Sequence, residues 1–406
     1  MSGMGVPVAV RRASGRLCGS VLALAVLLLG MALASPTEAR IYWGNSGTGT
    51  IGRAELDGTG ANQGFITGAG SPGGMAVNYT HIYWVSSHDN GTIGRANLDG
   101  TGANPNFITG AGNPSGLAVD GAHIYWANNV SGGSIGRANL DGSGANTFFV
   151  SGASFPTGIA VDGAHIYWAN YNPRAIGRAN LDGSAATASF IPVSTTSQLG
   201  GVTVSATHIF WADLGGTVGS MAPIGRANLD GTGANPNFIN GATNPDGLAV
   251  DGPHIYWANS GSTTVGRANI DGTGVNQGFI TGAGSPSGVA LDPPPPSNEF
   301  SFAKLKRNRR RGTAMLIVLV PGPGEIALKG KGLVKQRRTA DGGSNLRRID
   351  TAVTAAGKVK LRIKAKGRKR RKLNHTGRVK VAAKVTYTPT FGLPATKTRK
   401  VWLKTL

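Results

Sequence analysis

Short apolar runs separated by turn residues recur along most of the chain. A run of Ile-Tyr-Trp or Ile-Phe-Trp occurs six times, at successive spacings of 41, 42, 42, 43 and 46 residues. Self-similarity at a fixed period of this size indicates one supersecondary unit repeated along the chain. The six runs begin at Ile41, Ile82, Ile124, Ile166, Ile209 and Ile255.

The third repeat shows which elements each unit contains. Gly116–Asp120 and His123–Ala127 are apolar, β-rich runs, and the Asp-Gly pair between them favours a tight hairpin. Ser134–Leu140 and Asn146–Ser151 predict a third and a fourth strand, again separated by Asp-Gly. Four antiparallel strands in about 42 residues are one blade of a β-propeller.

The strand count predicts a closed ring. No first strand precedes Ile41, yet one extra first strand, Gly288–Asp292, follows the sixth repeat. We expect this last segment to complete the first blade, because closure removes exposed strand edges. The sequence therefore predicts an all-β fold with a six-bladed propeller over residues 41–292.

Several side chains recur once per repeat, which indicates architecture. We expect the tryptophans to pack between blades against small residues of the third strands. The repeated arginines are interpreted as structural partners of the aspartates in the following turns, and the repeated histidines as strand starts. The arginines are Arg53, Arg95, Arg137, Arg178, Arg226 and Arg267, and the aspartates are Asp57, Asp99, Asp141, Asp182, Asp230 and Asp271.

The repeated motifs resemble a known family. Ile-Tyr-Trp-Ala-Asn, Ile-Gly-Arg-Ala-Asn-Leu-Asp-Gly and Pro-x-Gly-Leu-Ala-Val-Asp are similar to the YWTD repeats of low-density lipoprotein receptors, over about residues 41–292. The family's Thr-Asp after Trp is mostly Ala-Asn here, and Ala212-Asp213 is nearest to it. The resemblance implies a protein-binding propeller without catalytic apparatus. Its more distant relatives include streptogramin lyases, so a lyase or hydrolase of that type is the alternative function.

The N-terminus has the pattern of a secretory signal peptide over residues 1–34. Basic residues precede an apolar run from Val21 to Leu33, which is too short to span a bilayer, and Ala32-Leu33-Ala34 fits a cleavage site. We therefore expect an extracytoplasmic protein, secreted or associated with the cell envelope. The single cysteine, Cys18, lies inside this segment, which excludes thiol catalysis and thiolate metal sites in the mature chain.

Charge divides the chain into two parts. The net charge is +22, but residues 41–298 carry seven Lys and Arg against fourteen Asp and Glu. Residues 300–406 carry thirty Lys and Arg against three acidic residues. A proline-rich linker at 293–299 separates the mildly acidic propeller from this cationic part.

Residues 300–406 predict a small β-sandwich that resembles the immunoglobulin-like domains at the ends of exported bacterial proteins. Lysine and arginine alternate with apolar residues over 358–366, which places the cations on one sheet face. A short helix is expected over Arg368–Leu373. The candidate polyanion-binding residues are Lys360, Arg362, Lys364, Lys366, Arg368, Lys369, Arg370 and Arg371. A solubilising charged surface is the alternative interpretation.

Candidate ligand-binding residues lie where the repeats differ from one another, in the loops after the second strands. They are His88, Asp89, Tyr171, Arg174 and Asp213. Ordinary loop variation is the alternative explanation. No catalytic residue is assigned, and the turns around Asn97–Asn104 offer too few carboxylates for calcium, so we expect no metal and no cofactor.

These observations favour an exported, non-enzymatic binding or structural protein. We expect a protein or glycan ligand at one face of the propeller. Anionic envelope polymers or lipid headgroups are the expected partners of the cationic domain. Aromatic residues are sparse in that domain, so dedicated nucleic-acid binding is not expected.

Overall fold

A computed structural model describes residues 39–86, 91–193, 198–217, 219–322, 324–334, 336–338, 356–390 and 394–406. The predicted signal peptide lies outside these residues. Nearly all regular structure in the described part of the chain is β-strand, and its α-helix is α1, Gly367–Thr376.

Twenty-four strands form six four-stranded antiparallel sheets, one per repeat. They are β1 Arg40–Asn45, β2 Thr50–Glu55, β3 Asn62–Ile66, β4 Pro72–Val77, β5 His81–Ser86, β6 Thr92–Asn97, β7 Asn104–Ile108, β8 Pro114–Val119, β9 His123–Asn128, β10 Ser134–Asn139, β11 Asn146–Ser151, β12 Pro156–Val161, β13 His165–Asn170, β14 Ala175–Asn180, β15 Thr187–Pro192, β16 Leu199–Val204, β17 His208–Asp213, β18 Met221–Asn228, β19 Asn235–Thr243, β20 Pro245–Val250, β21 His254–Asn259, β22 Thr264–Asn269, β23 Asn276–Thr281 and β24 Pro286–Leu291.

The sheets are the six blades of a closed propeller, as the strand count predicts. Blade one contains β24, β1, β2 and β3, and blades two to six follow in chain order. The closing strand β24 pairs with β1 in the register Ile41↔Leu291 and Trp43↔Val289. Each innermost strand begins two residues before the expected glycine. In five blades it begins at a proline, which has no N–H to give to the ladder.

The tryptophans pack as the sequence predicts. Trp84 is fully buried, and a Cβ added to Gly94 would lie 2.2 Å from its Cε2. Only glycine therefore leaves room for the indole on the third strand. Trp126 shows that the ring also joins two blades, because it packs in a cluster with residues of blade two and donates to the backbone oxygen of Ala111 at 2.9 Å.

The prediction that the repeated arginines pair with the turn aspartates is wrong. The Arg137 guanidinium carbon lies 3.7 Å from the ring centroid of Phe149 on the fourth strand. Asp141 instead accepts hydrogen bonds from the backbone N–H (2.9 Å) and hydroxyl (2.6 Å) of Ser143, which close its own turn. The other blades repeat the stacking, with Arg53 on Phe65, Arg95 on Phe107, Arg178 on Phe190, Arg226 on Phe238 and Arg267 on Phe279.

Two further sheets form a small sandwich after the propeller. One has the order β25-β26-β29 and the other β28-β27-β30-β31. Leu316 and Leu361 from the first sheet and Val385 from the second are fully buried in one shared core. The expected helix is α1, which buries Leu373. The strands are β25 Ser301–Asn308, β26 Thr313–Val320, β27 Gly324–Lys329, β28 Gln336–Arg338, β29 Gly357–Lys364, β30 Arg378–Pro389 and β31 Ala395–Lys404.

Candidate functional site

The loops that differ among the repeats lie at one end of the blades. In blade four, the first residue of the inner strand, Pro156, pairs with the last residue of the second strand, Asn170. The loop that enters a blade and the loop between its second and third strands therefore meet at the same end. We call this end the variable-loop face.

An aromatic cluster occupies the variable-loop face between blades three and four. The rings of Phe155 and Tyr171 meet edge to face, with centroids 6.1 Å apart. The Arg174 guanidinium carbon lies 5.6 Å from the centroid of Tyr171. Val130 completes the cluster, because its backbone oxygen accepts a hydrogen bond from the N–H of Phe155 at 3.1 Å. Tyr171 is 40% exposed and Val130 42%, so the cluster offers apolar surface to a partner.

Phe155 adopts a backbone conformation that disfavours its own residue type. Its φ is +46°, in the left-handed region. The equivalent positions of blades six and one hold Asn244 (φ +45°) and Ser285 (φ +53°), which are small and polar. A bulky residue in this region is uncommon and strained. The sequence shows this phenylalanine before Pro156, but its strain becomes visible only with the backbone.

Asp213 has a different environment from the cluster. It ends the second strand of blade five, is 5% exposed, and accepts a hydrogen bond from the backbone N–H of Gly215 at 3.0 Å. Asparagine holds this position in four other blades and fastens the loop there. In blade six, for example, the Asn259 amide donates to the hydroxyl of Thr264 and the backbone oxygen of Gln277. His88 and Asp89 lie outside the described residues.

The inner strands approach one another closely around the propeller axis. A glycine on each inner strand faces the next blade, and a Cβ added there would lie 2.2 to 2.6 Å from that blade's backbone. Side chains are therefore excluded from this layer. The six glycines are Gly74, Gly116, Gly158, Gly201, Gly247 and Gly288.

In three blades the residue before this glycine carries a hydroxyl that reaches the next blade. The Ser115 hydroxyl lies 2.8 Å from the backbone oxygen of Thr157, and the Thr157 hydroxyl lies 2.8 Å from that of Leu199. Ser287 donates likewise to Pro72 at 2.6 Å. These hydroxyls join successive blades by hydrogen bonds to backbone carbonyls.

Asp246 occupies this position in blade six and is the charged member of the ring. One carboxylate oxygen would lie 3.3 Å from a Cβ added to Gly200. Burial raises the pKa of Asp246 to about 7, because the protein replaces the water that would solvate its charge. The group can therefore exchange a proton near neutral pH. Asp246 is the one acidic residue in the repeated Pro-x-Gly motif, but the motif alone does not reveal its burial.

The cationic domain presents the alternating face that the sequence predicts. In β29, Lys360 and Lys364 are exposed, whereas Leu361 and Ile363 are buried. Lys366 and the α1 residues Arg368, Arg370 and Arg371 are also exposed. Lys369 differs, because it is partly buried and its Nζ donates to the backbone oxygen of Lys380 at 3.3 Å. Arg362 is partly buried on the same face as Lys360.

Like charges also face each other on the outer surface of the second sheet. Arg378 is directly opposite Lys404, and Lys329 is directly opposite Lys384. Cross-strand pairs of like charge are destabilising unless counter-ions neutralise them. The exposed Trp402 lies among these cations, with the Lys380 ammonium 5.7 Å from its ring centroid.

No group of three or more His, Cys, Asp or Glu side chains is arranged to hold a metal ion within the described ranges. The helix that the structure describes has ten residues and is too short and polar to cross a membrane.

The chain is thus an all-β protein that joins a six-bladed propeller to a small cationic sandwich. No family model and no curated protein matches it. Among solved structures, it is similar to a chain of the nidogen/laminin complex, with 20% identity and a TM-score of 0.52 over 62% of this chain and 98% of that chain. This likeness supports the propeller fold alone.

Weaker likenesses include a TolB structure from Agrobacterium tumefaciens, with 14% identity and a TM-score of 0.39 over 59% of this chain and 87% of that one. A computationally designed protein, Ika8, has 11% identity and a TM-score of 0.33 over 66% of this chain and 75% of its own.

Proposed function

We propose that this protein is an exported interaction scaffold whose propeller binds a protein or glycan partner through the variable-loop face. The observation that carries the proposal is the cluster of Val130, Phe155, Tyr171 and Arg174, in which Val130 and Tyr171 are exposed and the other two are partly buried. Tyrosine and arginine are enriched among the residues that dominate binding energy at interfaces. Strained backbone positions such as that of Phe155 cost stability, and they are concentrated at functional sites in proteins.

The cationic domain supports the second half of the proposal, which is association with anionic envelope polymers or lipid headgroups. Its rows of like charge are close in space, and Glu325 is the one acidic residue that the structure describes between 300 and 406. A polyanion would relieve the repulsion between these cations. The predicted signal peptide supports an encounter outside the cytoplasm.

Site-specific photo-crosslinking in the native producing cells tests the propeller surface. A crosslinking side chain at position 171 should give a discrete adduct, because that position lies within the proposed contact. The same group at Phe148, which is 72% exposed on the outer strand of blade three, is the matched control. Equal labelling from both positions would exclude a preferred contact at the cluster.

Retention of the full-length protein on an anionic matrix tests the cationic domain. Replacing Lys360, Lys364 and Lys384 by Gln should lower the salt concentration needed for elution, because fewer counter-ions are displaced on binding. Replacing three exposed polar residues of the propeller is the control. Unchanged elution of the lysine variant would refute association through this domain.

A further inference from the structure

A basic cleft lies at one end of the cationic domain. It has a volume of about 500 Å³ and is lined by Arg310 and Arg311 from the turn between β25 and β26, Arg362 and Lys364 from β29, and Arg370 and Asn374 from α1. Five of these six side chains are cationic. Three separate elements thus direct positive charge into one concavity.

The turn that carries Arg310 and Arg311 is fixed by close packing. Gly312 has a φ of +55°, and a Cβ there would lie 2.8 Å from Leu373 and 2.9 Å from Thr405. The backbone N–H of Arg311 donates to the Asn308 side chain at 3.0 Å. Because the turn rests directly on α1 and the C-terminal end of β31, it has little freedom to withdraw from the cleft.

The other cations of the cleft are held by regular structure. Arg362 and Lys364 are on the same face of β29, opposite Met315 and Thr313 of β26. Arg370 and Asn374 are four residues apart in α1, so they are neighbours on one side of the helix. Leu373 is buried beneath them and anchors α1 to the core. The cleft is therefore built before any ligand arrives.

We propose that the basic cleft binds successive phosphate groups of a phosphate-bearing chain. This inference rests on the proposed polyanion association and assigns it a site and a chemistry. Planar arginine forks match the tetrahedral oxygens of phosphate by paired hydrogen bonds. One carboxylate would leave most of the charge of the five lining cations unneutralised, whereas each further linked phosphate would neutralise more of it. Asn374 and Thr405 also line the cleft and offer polar groups to a ligand.

Titration calorimetry on the full-length protein at moderate salt tests the site, with tripolyphosphate and a glycerol-phosphate oligomer as probes. The two probes distinguish a phosphoanhydride from a phosphodiester source. Citrate, a tricarboxylate, is the comparison for charge without phosphate. We expect both phosphate probes, or one of them, to bind at least about ten-fold more tightly than citrate. Equal affinity for all three would overturn the phosphate assignment.

Charge-matched variants locate the binding. Arg310→Gln with Arg370→Gln should weaken phosphate binding by about ten-fold or more, whereas Lys384→Gln with Lys400→Gln, on the outer face of the second sheet, should weaken it less than about three-fold. Equal losses would overturn the cleft while leaving general polyanion association intact. Should the first variant fail to fold, Arg311→Gln on the exposed turn replaces it. Absence of any binding by wild-type protein, on the anionic matrix as well, would refute both proposals.

Discussion

Replacement of Asp246 by Ser should stabilise the propeller at neutral pH. Ser115 and Ser287 hold the equivalent position in two other blades, where the hydroxyl donates to a carbonyl of the next blade. An ionised carboxylate cannot donate such a bond, and burial penalises its charge. Serine at position 246 removes the charge and supplies the donor that the ring uses elsewhere.

The sign of the pH dependence follows from the raised pKa of Asp246. Its ordinary pKa is 3.8 and its folded pKa is about 7. Asp246 therefore costs no stability below about pH 4, and its cost grows as pH rises towards 7, because ionisation of this group favours the unfolded chain. A shift of this size corresponds to a ceiling of about 4 kcal/mol. Since the side chain keeps some contact with solvent, we expect about 1–3 kcal/mol.

Thermal unfolding followed by tryptophan fluorescence measures this effect. Six of the seven tryptophans lie in the propeller, so the signal reports mainly on that domain. Asp246→Ser should melt about 2–10 °C above wild type at pH 8, with a smaller difference at pH 4.5. A difference that is equal at both pH values, or a variant less stable at pH 8, would refute the reasoning.

An exposed aspartate provides the control of opposite sign. Bonding to the hydroxyl and N–H of Thr232 holds the pKa of Asp230 below its ordinary value. Its contribution to stability is present at neutral pH and lost as pH falls through that lowered pKa. Asp230→Asn should therefore be less stable than wild type at pH 7, and the difference should shrink in acid.

Three further predictions concern packing. In denaturant unfolding, Gly94→Ala should lower the free energy of unfolding by about 2–3 kcal/mol, because its Cβ would overlap Trp84. Gly121→Ala is the control, since its Cβ would meet nothing within 4 Å, and it should cost less than about 1 kcal/mol. Equal costs would contradict the close packing. Phe155→Asn should stay within about 1 kcal/mol of wild-type stability, because relief of strain offsets the lost ring contact, and a loss above about 2 kcal/mol would argue against strain. Double-mutant cycles should give a coupling free energy of about 0.5–1 kcal/mol between Arg137 and Phe149, and less than about 0.3 kcal/mol between Arg137 and Asp141. The reverse order would restore the ion-pair interpretation.

The propeller fold could be predicted because its evidence is repeated and local. Tryptophan and glycine recur at fixed offsets, and their alternation specifies which face of each strand is buried. Blade one has no first strand of its own before Ile41, so the extra strand Gly288–Asp292 could pair only there. The cationic face of β29 was equally predictable, because side chains alternate strictly between the two faces of a strand.

What the sequence did not show depends on contacts between elements. Proximity along the chain favours pairing each arginine with the aspartate of the following turn, but the bulged register between the third and fourth strands brings Phe149 beneath Arg137 instead. The burial of Asp246 arises from the assembly of six inner strands, which the sequence of a single repeat does not show. The basic cleft likewise joins residues 310, 362 and 370, which no local pattern relates.

The six blades provide an internal reference for separating architecture from function. A side chain that repeats in every blade is sufficiently explained by packing, as for Trp84 and its glycine. A departure that lowers stability needs another explanation, because the neighbouring blades show a less costly residue for the same place. Phe155 replaces Asn or Ser at a left-handed position, and Asp246 stands where three other blades have a Ser or Thr hydroxyl donor. Function therefore explains these two residues better than stability does. One lies in the loop cluster of the variable-loop face, and the other lies near the propeller axis.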